Sequence, residues 1–362
     1  TRPECPAAGC HRPGTARAPG VRMTAPHPRA GRVLHTGNLV VDLSLRVPRL
    51  PRRGEDLSVE EPVSAPGGAW HALAAATGLG ARCVFAGSLG TGPRGDFLRA
   101  RLKDSEIPHP APRIDGTDSG CSLALVEPDG ERTFLSTTGA EAVLSPETLR
   151  ELHPTDEDVV VVSGYTVARA EAGGTLLRWL RGRDEAAVLF DPGPVISRTE
   201  AGQLRAVCAA VTALTCTEEE GRELARALGI PGGSRTASAL AAALHRGLPR
   251  HPLVLLHQGA AGAVWCEARG AGHLDALSVP VLSANGAGDT VAGVLAWGLA
   301  GPWLSPAAHV DAVRETLELA MAAASRHIST PPGTPPADRA ELQRFAEQHH
   351  PIPPDQSGEY RA

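Results

Sequence analysis

The chain has 362 residues, 42% hydrophobic and 21% charged, with a formal net charge of −5. That length can bury a sizeable core and suits one large α/β domain with additions, and the charge carries none of the basic excess of nucleic-acid binders. No apolar run reaches the roughly 18 residues that a bilayer-spanning helix needs, so no membrane role is expected.

Residues 1–31 are rich in Pro, Gly, Arg and Ala without a periodic apolar face, which predicts a disordered leader. The leader has no apolar h-region, so no secretory signal is expected. Met23, followed by Thr24-Ala25-Pro26, reads as the start of translation, and Cys5, Cys10 and His11 are too sparse for a metal site. From Val33 onward apolar strands alternate with amphipathic helices. Strands are predicted at Val33–Val41, Cys83–Gly87, Val159–Ser163, Ala187–Asp191, Val211–Thr215 and Leu253–His257. Helices are predicted at Ala69–Leu79, Gly95–Lys103, Ala172–Leu180, Glu219–Leu228, Ala237–Leu244, Asp289–Leu299 and Ala307–Arg326. This interleaving implies an α/β fold, a three-layer α/β/α sandwich around a mostly parallel central sheet.

One section breaks the alternation. Cys121–Glu127 and Glu131–Thr137, joined across Asp129-Gly130, read as a hairpin, and Val59–Ser64 adds a strand. Lid strands near 43–66 and 119–138 would form a small inserted β-sheet over the carboxyl ends of the parallel strands, where open α/β sheets bind ligands. The main domain is expected over 32–333 and a loose tail over 334–362, helical near 338–348. The only lysine, Lys103, lies on a helix and precedes Asp104, which excludes both a P-loop and a protein-kinase strand lysine. The seven cysteines show no C-x-x-C spacing and read as reduced structural thiols of a cytoplasmic protein.

Chemistry concentrates at Asn285-Gly286-Ala287-Gly288-Asp289-Thr290, before an apolar helix. The glycines allow close backbone approach, and the N–H groups of Gly286, Ala287 and Gly288 would form an anion hole beside Asp289, a base for an attacking hydroxyl. An equal reading makes Asp289 a first-turn residue favoured by the helix dipole. Asp42, at a predicted strand end, either grips two hydroxyls or caps a turn. Gly67-Gly68 is either part of a substrate loop or a plain turn, and His71 on its alanine-rich helix is either ligand or satisfied core. Gly90-Thr91-Gly92-Pro93-Arg94-Gly95 spells a dinucleotide fingerprint, but Pro93 removes an N–H and Asp96 would crowd a pyrophosphate.

In order and spacing these segments resemble the PfkB/ribokinase family of carbohydrate and nucleoside kinases, from about Val33 to Gly333. The run ending in Asp289 is similar to the family's D-T-x-G-A-G-D signature, Gly37–Asp42 to its first strand, and Gly67-Gly68 to its Gly-Gly pair. Thr217-Glu218-Glu219-Glu220 stands at the N-x-x-E position, and Gly259-Ala260-Ala261-Gly262 at the G-x-x-G segment beside the nucleotide. The resemblance implies a ribokinase-like fold, ATP and Mg2+ as cofactors, and Asp289 as the catalytic base. It also implies substrate contacts from Asp42, Gly67, Gly68 and His71, nucleotide contacts from Thr217, Glu220, Gly259 and Gly262, and magnesium held through water by Glu220. The expected function is transfer of phosphate to an alcohol group of a small sugar-type molecule, with no nucleic-acid or membrane partner and with the lid available to pair with a second copy. Nucleoside phosphorylation and a degenerate binding protein are the alternatives; an aromatic content of 3% leaves few rings to stack on a base. Ser283 and Ala284 replace the signature's aspartate and threonine, His71 the asparagine after Gly-Gly, and Thr217 the asparagine of N-x-x-E. Ser283 implies weak activation by potassium, Thr217 weaker phosphate or magnesium binding, and His71 an altered specificity.

Overall fold

Runs such as Val159-Val160-Val161-Val162 have no polar side to turn toward water, so they form strands covered on both faces. The computed structural model describes residues 31–128, 131–183, 185–231, 236–300 and 309–352, the side chains of 309 and 310 excepted. The leader to residue 30, with Met23, Cys5, Cys10 and His11, the Asp129-Gly130 turn and the predicted helix start at Ala307 lie outside the described residues.

In chain order come β1 (Arg32–His35), β2 (Leu39–Arg46), β3 (Val63–Gly68), α1 (Ala69–Gly78), β4 (Arg82–Phe85), β5 (Leu89–Gly90), α2 (Pro93–Asp104) and β6 (Arg113–Ile114). Next are β7 (Cys121–Val126), β8 (Arg132–Ser136), α3 (Pro146–Glu151), β9 (Val159–Ser163), α4 (Gly164–Val167), α5 (Ala170–Leu180) and β10 (Ala187–Asp191). They are followed by α6 (Ala201–Cys208), β11 (Ala213–Thr217), α7 (Glu218–Leu228), α8 (Ala237–Gly247), β12 (Leu253–His257), β13 (Ala263–Glu267) and β14 (Gly270–Leu274). Last come α9 (Ala287–Leu299), α10 (His309–Ser329) and α11 (Arg339–Gln348).

The large sheet has the order β14-β13-β12-β11-β10-β9-β1-β4, parallel from β12 to β4. Successive side chains feed two cores. Val33, Val161, Leu189 and Leu255 pack with residues of α1, α9 and α10, while Leu34, Val160, Phe190 and Leu256 pack with residues of α5 to α8. Each fully buried side chain of this kind contributes about 1.5–3 kcal/mol. The product is the expected three-layer sandwich. The edge strands β13 and β14 are antiparallel and carry no sequence expectation; Gly270 and Gly272 interrupt the apolar pattern because the Trp265 ring covers them.

The smaller sheet, β3-β2-β7-β8, forms the lid, and it is mixed, since β2 and β7 run parallel. Two boundaries differ from expectation. The predicted strand Val33–Val41 divides at Thr36-Gly37-Asn38 into β1 of the large sheet and β2 of the lid, so Asp42 stands inside a lid strand and not at a core-strand end. The third lid strand is Val63–Gly68, because Gly67 and Gly68 pair with Val40 and Leu39 and do not form a free turn.

The glycine-rich Gly90–Gly95 segment anchors the lid's root. The N–H groups of Gly95 and Arg94 donate to the Asp118 carboxylate at 2.8 and 3.2 Å, and that of Ser119 at 2.8 Å. A Cβ on Gly92 would lie 2.6 Å from Asp118 Cγ, and one on Gly90 2.1 Å from the Thr117 carbonyl oxygen. An internal carboxylate fills the place a pyrophosphate would need, which removes the dinucleotide reading. Buried Glu141 accepts from the Gly120 and Gly139 N–H groups, each at 2.8 Å, and so pins both feet of the β7–β8 hairpin. From residue 334 to 352 the chain packs on the main domain. Helix α11 buries Leu342 and joins α10 through Arg326–Glu341 at 2.6 Å, and Pro351 bridges to Leu277.

Candidate active site

The carboxyl ends of β10, β11 and β12 present Asp191, Thr217 and His257, and α9 lies across β9, β10 and β11. Helix α9 begins at Ala287, two residues before its predicted start. Its N-cap, Gly286, has φ 79°, and a Cβ there would lie 2.4 Å from His71 Cδ2, so both conformation and contact require glycine. In the first turn the Ala287 N–H reaches the Ala284 carbonyl only at 3.4 Å. The N–H groups of Gly288 and Asp289 meet no acceptor among the described residues, and a Cβ on Gly288 would touch nothing within 4 Å. An open face of unpaired N–H groups at a helix start suits an anion.

Asp289 is half-buried, and among the described residues no hydrogen bond holds its carboxylate. Burial pushes its pKa up to about 6; His71 draws it down, while the charges of Asp42 and Glu220 push it up. Asp191, which the sequence reading passed over, is raised well above the ordinary carboxylate range by burial and then by Asp289 and Glu220. Its signal was present, an acidic residue at the end of a predicted parallel strand.

Among the described residues no group of three or more His, Cys, Asp or Glu side chains is placed to cage a bare cation. Asp191 instead faces the negative charge of Asp289 and Glu220, and Asp289 that of Asp42 and Glu220 against the pull of His71, and a cation would relieve this. The donor set therefore fits magnesium, which keeps several waters and arrives with phosphates. Glu220 has a structural task as well. Its Oε2 accepts the Thr217 N–H at 2.8 Å, and Thr217 Oγ1 accepts the Glu220 N–H at 3.2 Å, a capping box that starts α7. Gly259 and Gly262, with φ 58° and 84°, turn the chain from β12 into β13, and a Cβ on Gly262 would lie 1.9 Å from the Leu274 carbonyl oxygen.

Facing Asp289 is the lid. Gly67 leaves room for Asp42, since a Cβ there would lie 2.2 Å from the carboxylate carbon; Gly68, with φ 61°, is the N-cap of α1. Asp42 Oδ2 accepts the Asn285 side-chain amide at 2.8 Å and stands 3.7 Å from His71 Nε2, a buried atom with no hydrogen-bond partner. The His71 ring meets His327 edge-on, with centroids 4.9 Å apart, and His327 Nε2 donates to the Asn285 carbonyl at 2.7 Å. His327 carried no sequence signal, and Asn285, though it opens the glycine-rich run, gave no sign of meeting Asp42, because only folding brings these residues together. A cavity of about 650 Å³ beneath the lid is lined by Asp42, His71, Asn285 and His327, with Phe134 and Arg132 on its outer side.

The family model described as pfkB family carbohydrate kinase matches residues 31–338. YegV of Escherichia coli K12, described as an uncharacterized sugar kinase, is 28% identical over 274 residues, 74% of this chain and 82% of that protein. The fructokinase of Xylella fastidiosa with bound ATP superposes with a TM-score of 0.72 at 20% identity, covering 88% of this chain and 98% of that one. A ribokinase II from E. coli in complex with ATP and Mg2+ superposes with a TM-score of 0.68 at 17% identity, covering 88% and 100%.

Proposed function

The chain belongs to the pfkB family of carbohydrate kinases, and from that premise we propose that it transfers phosphate from ATP to an alcohol group of a sugar or sugar-like molecule, with Asp289 as the base. The observation that carries this is the state of Asp289: an unbonded carboxylate with a pKa of about 6, in a helix turn whose N–H groups lie open. A base of that strength stays ionised at neutral pH and can still accept a proton from a hydroxyl as attack proceeds. The amides of Gly286, Ala287 and Gly288 would steady the phosphoryl oxygens. Asp42 keeps Oδ1 for a substrate hydroxyl, and His71 Nε2 supplies the neighbouring polar contact.

Asp191 and Glu220 would hold magnesium through water, and Thr217, Gly259 and Gly262 flank the nucleotide. Magnesium, when bound, neutralises phosphate charge. The solved neighbours with ATP and with ATP and Mg2+ support this choice of donor and cation. Buried thiols such as Cys83 and Cys208, pushed up to about 11 and 12, suit a reducing cytoplasm, and among the described residues no helix is long and apolar enough to cross a membrane. A second copy covers the outer lid face, where Leu123 and Leu135 stand side by side.

The test is ATP consumption with Mg2+ across pentoses, hexoses and nucleosides, for wild type and Asp289→Asn. A neutral sugar should be the preferred acceptor, and the variant should lose roughly 10²–10⁴-fold in turnover, the usual worth of a positioned general base, while ATP affinity holds. An Asp289→Asn protein working at the wild-type rate would end this mechanism. A nucleoside as best acceptor would replace the sugar.

A further inference from the structure

The loop that opens α9 hangs from the last turn of α10. The Leu282 and Ser283 N–H groups both donate to the Ile328 carbonyl, at 2.7 and 3.1 Å, and His327 Nε2 donates to the Asn285 carbonyl. A carbonyl only accepts, so the His327 proton sits on Nε2. Burial, with His71 alongside, holds the His327 pKa below its usual value, which keeps the ring neutral in this role. Asn285 then works in two directions. Its carbonyl is fixed from α10, and its side-chain amide reaches across to the lid and donates to Asp42 Oδ2 at 2.8 Å.

We propose that His327 and Asn285 are positioning residues that tie the lid carboxylate of Asp42 to the loop forming the anion hole. Acceptor grip and phosphoryl cradle then hold one spacing. This rests on the kinase reading above for what Asp42 and the loop bind. The His327–Asn285 bond sets the plane of the peptide leading into Gly286, whose left-handed backbone aims the Ala287 and Gly288 amides. The Asn285–Asp42 bond engages Oδ2 and leaves Oδ1, which accepts from no group among the described residues, for a substrate hydroxyl. In-line transfer needs base, hydroxyl and phosphorus held closely, and a misplacement of an ångström costs orders of magnitude in rate. A histidine that only finished α10 could point to solvent; this one packs edge-on against His71.

The experiment uses the full chain with His327→Leu, which cannot donate, His327→Gln, whose amide can, Asn285→Ala, and the Leu/Ala double variant. Assays use D-ribose, D-fructose and adenosine with Mg-ATP. For the best of these probes, His327→Leu should raise acceptor KM and lower kcat by about three- to tenfold, the worth of one such hydrogen bond, with ATP KM unmoved. His327→Gln should recover most of the loss, and the double variant should be no worse than either single one, because both cut the same link. Constants that stay within about twofold in His327→Leu, or losses that multiply in the double variant, would overturn the proposal. Hydrogen exchange on the unliganded proteins gives an arm that needs no substrate. His327→Leu should speed exchange in residues 39–46 and 285–290 together; faster exchange in α10 alone, or none, counts against the link. Should no probe be phosphorylated by the wild type, the acceptor reading fails and the exchange result still decides the positioning role. If His327→Leu does not fold, Asn285→Ala carries both arms.

Discussion

Asp289 is poorly accommodated as an anion, and that gives it a signature independent of any substrate. Its folded-state pKa, about 6, lies above its ordinary value of 3.8. A raised pKa means the folded state favours the protonated form, so the group's contribution is whole below about pH 3.8 and is lost as pH rises to about 6. Asp289→Asn should therefore melt higher than wild type at pH 8, with the gain shrinking to nothing near pH 4. A gain of about 1–3 kcal/mol follows from the worth of a pKa unit. Thermal melts across that range check the sign; a residue serving only the helix start would instead lose stability on substitution. In kinetics, kcat/KM should climb with pH to a plateau with a midpoint near 6, because the free enzyme's base must be ionised. A profile flat from pH 5 to 8 would remove Asp289 from that role. The sequence already marked Asp289, Asp42 and His71. It gave no sign of His327, nor of the bonds that Asn285 makes, which close over long sequence separations.

At the scale of elements, α9 owes its place to glycines that helix propensity disfavours. A Cβ on Gly293 would come 2.2 Å from the Ala72 carbonyl oxygen, and one on Gly298 2.4 Å from Thr316 Cγ2. The first contact brings α1 against α9 beside His71, one turn below Asp289. Gly293→Leu should force these helices apart and destabilise the protein by about 1–3 kcal/mol, as overpacking does. If it folds, acceptor KM should rise more than ATP KM, since His71 moves and the nucleotide turn does not. Denaturant melts and steady-state kinetics measure both; an unchanged acceptor KM would detach α1 from the site. The helix itself was legible from its apolar run, but the reason for Gly293 lies in a neighbouring helix. The Thr217–Glu220 pair shows the converse, because a capping box is local and can be read from sequence spacing.

For the whole molecule, the lid has two faces of different character. Asp42, Ser44, Ser122 and Ala124 line the cavity, and the alternation of side chains puts Leu45, Leu123 and Leu125 on the reverse side, while Leu43 packs against the main core. Leu135, 59% exposed, extends that apolar side. Sedimentation should find a dimer, and Leu123→Glu should yield a monomer with unchanged circular dichroism. A monomeric wild type at micromolar concentration would leave this face without a partner.

The sequence by itself determined the sandwich, the parallel strands of its large sheet with most of the helices that cover them, and the loop before α9. Those follow from apolar periodicity and from glycine and proline placement, which act over a few residues. Only the tertiary structure decided that Val33–Val41 splits between two sheets, that Asp42 belongs to the lid and that the Gly90–Gly95 loop holds an internal carboxylate. It alone brought Asn285 to Asp42 and His327 to Asn285. These depend on which distant backbone and side-chain groups meet, and pairing across such separations leaves no local periodic trace.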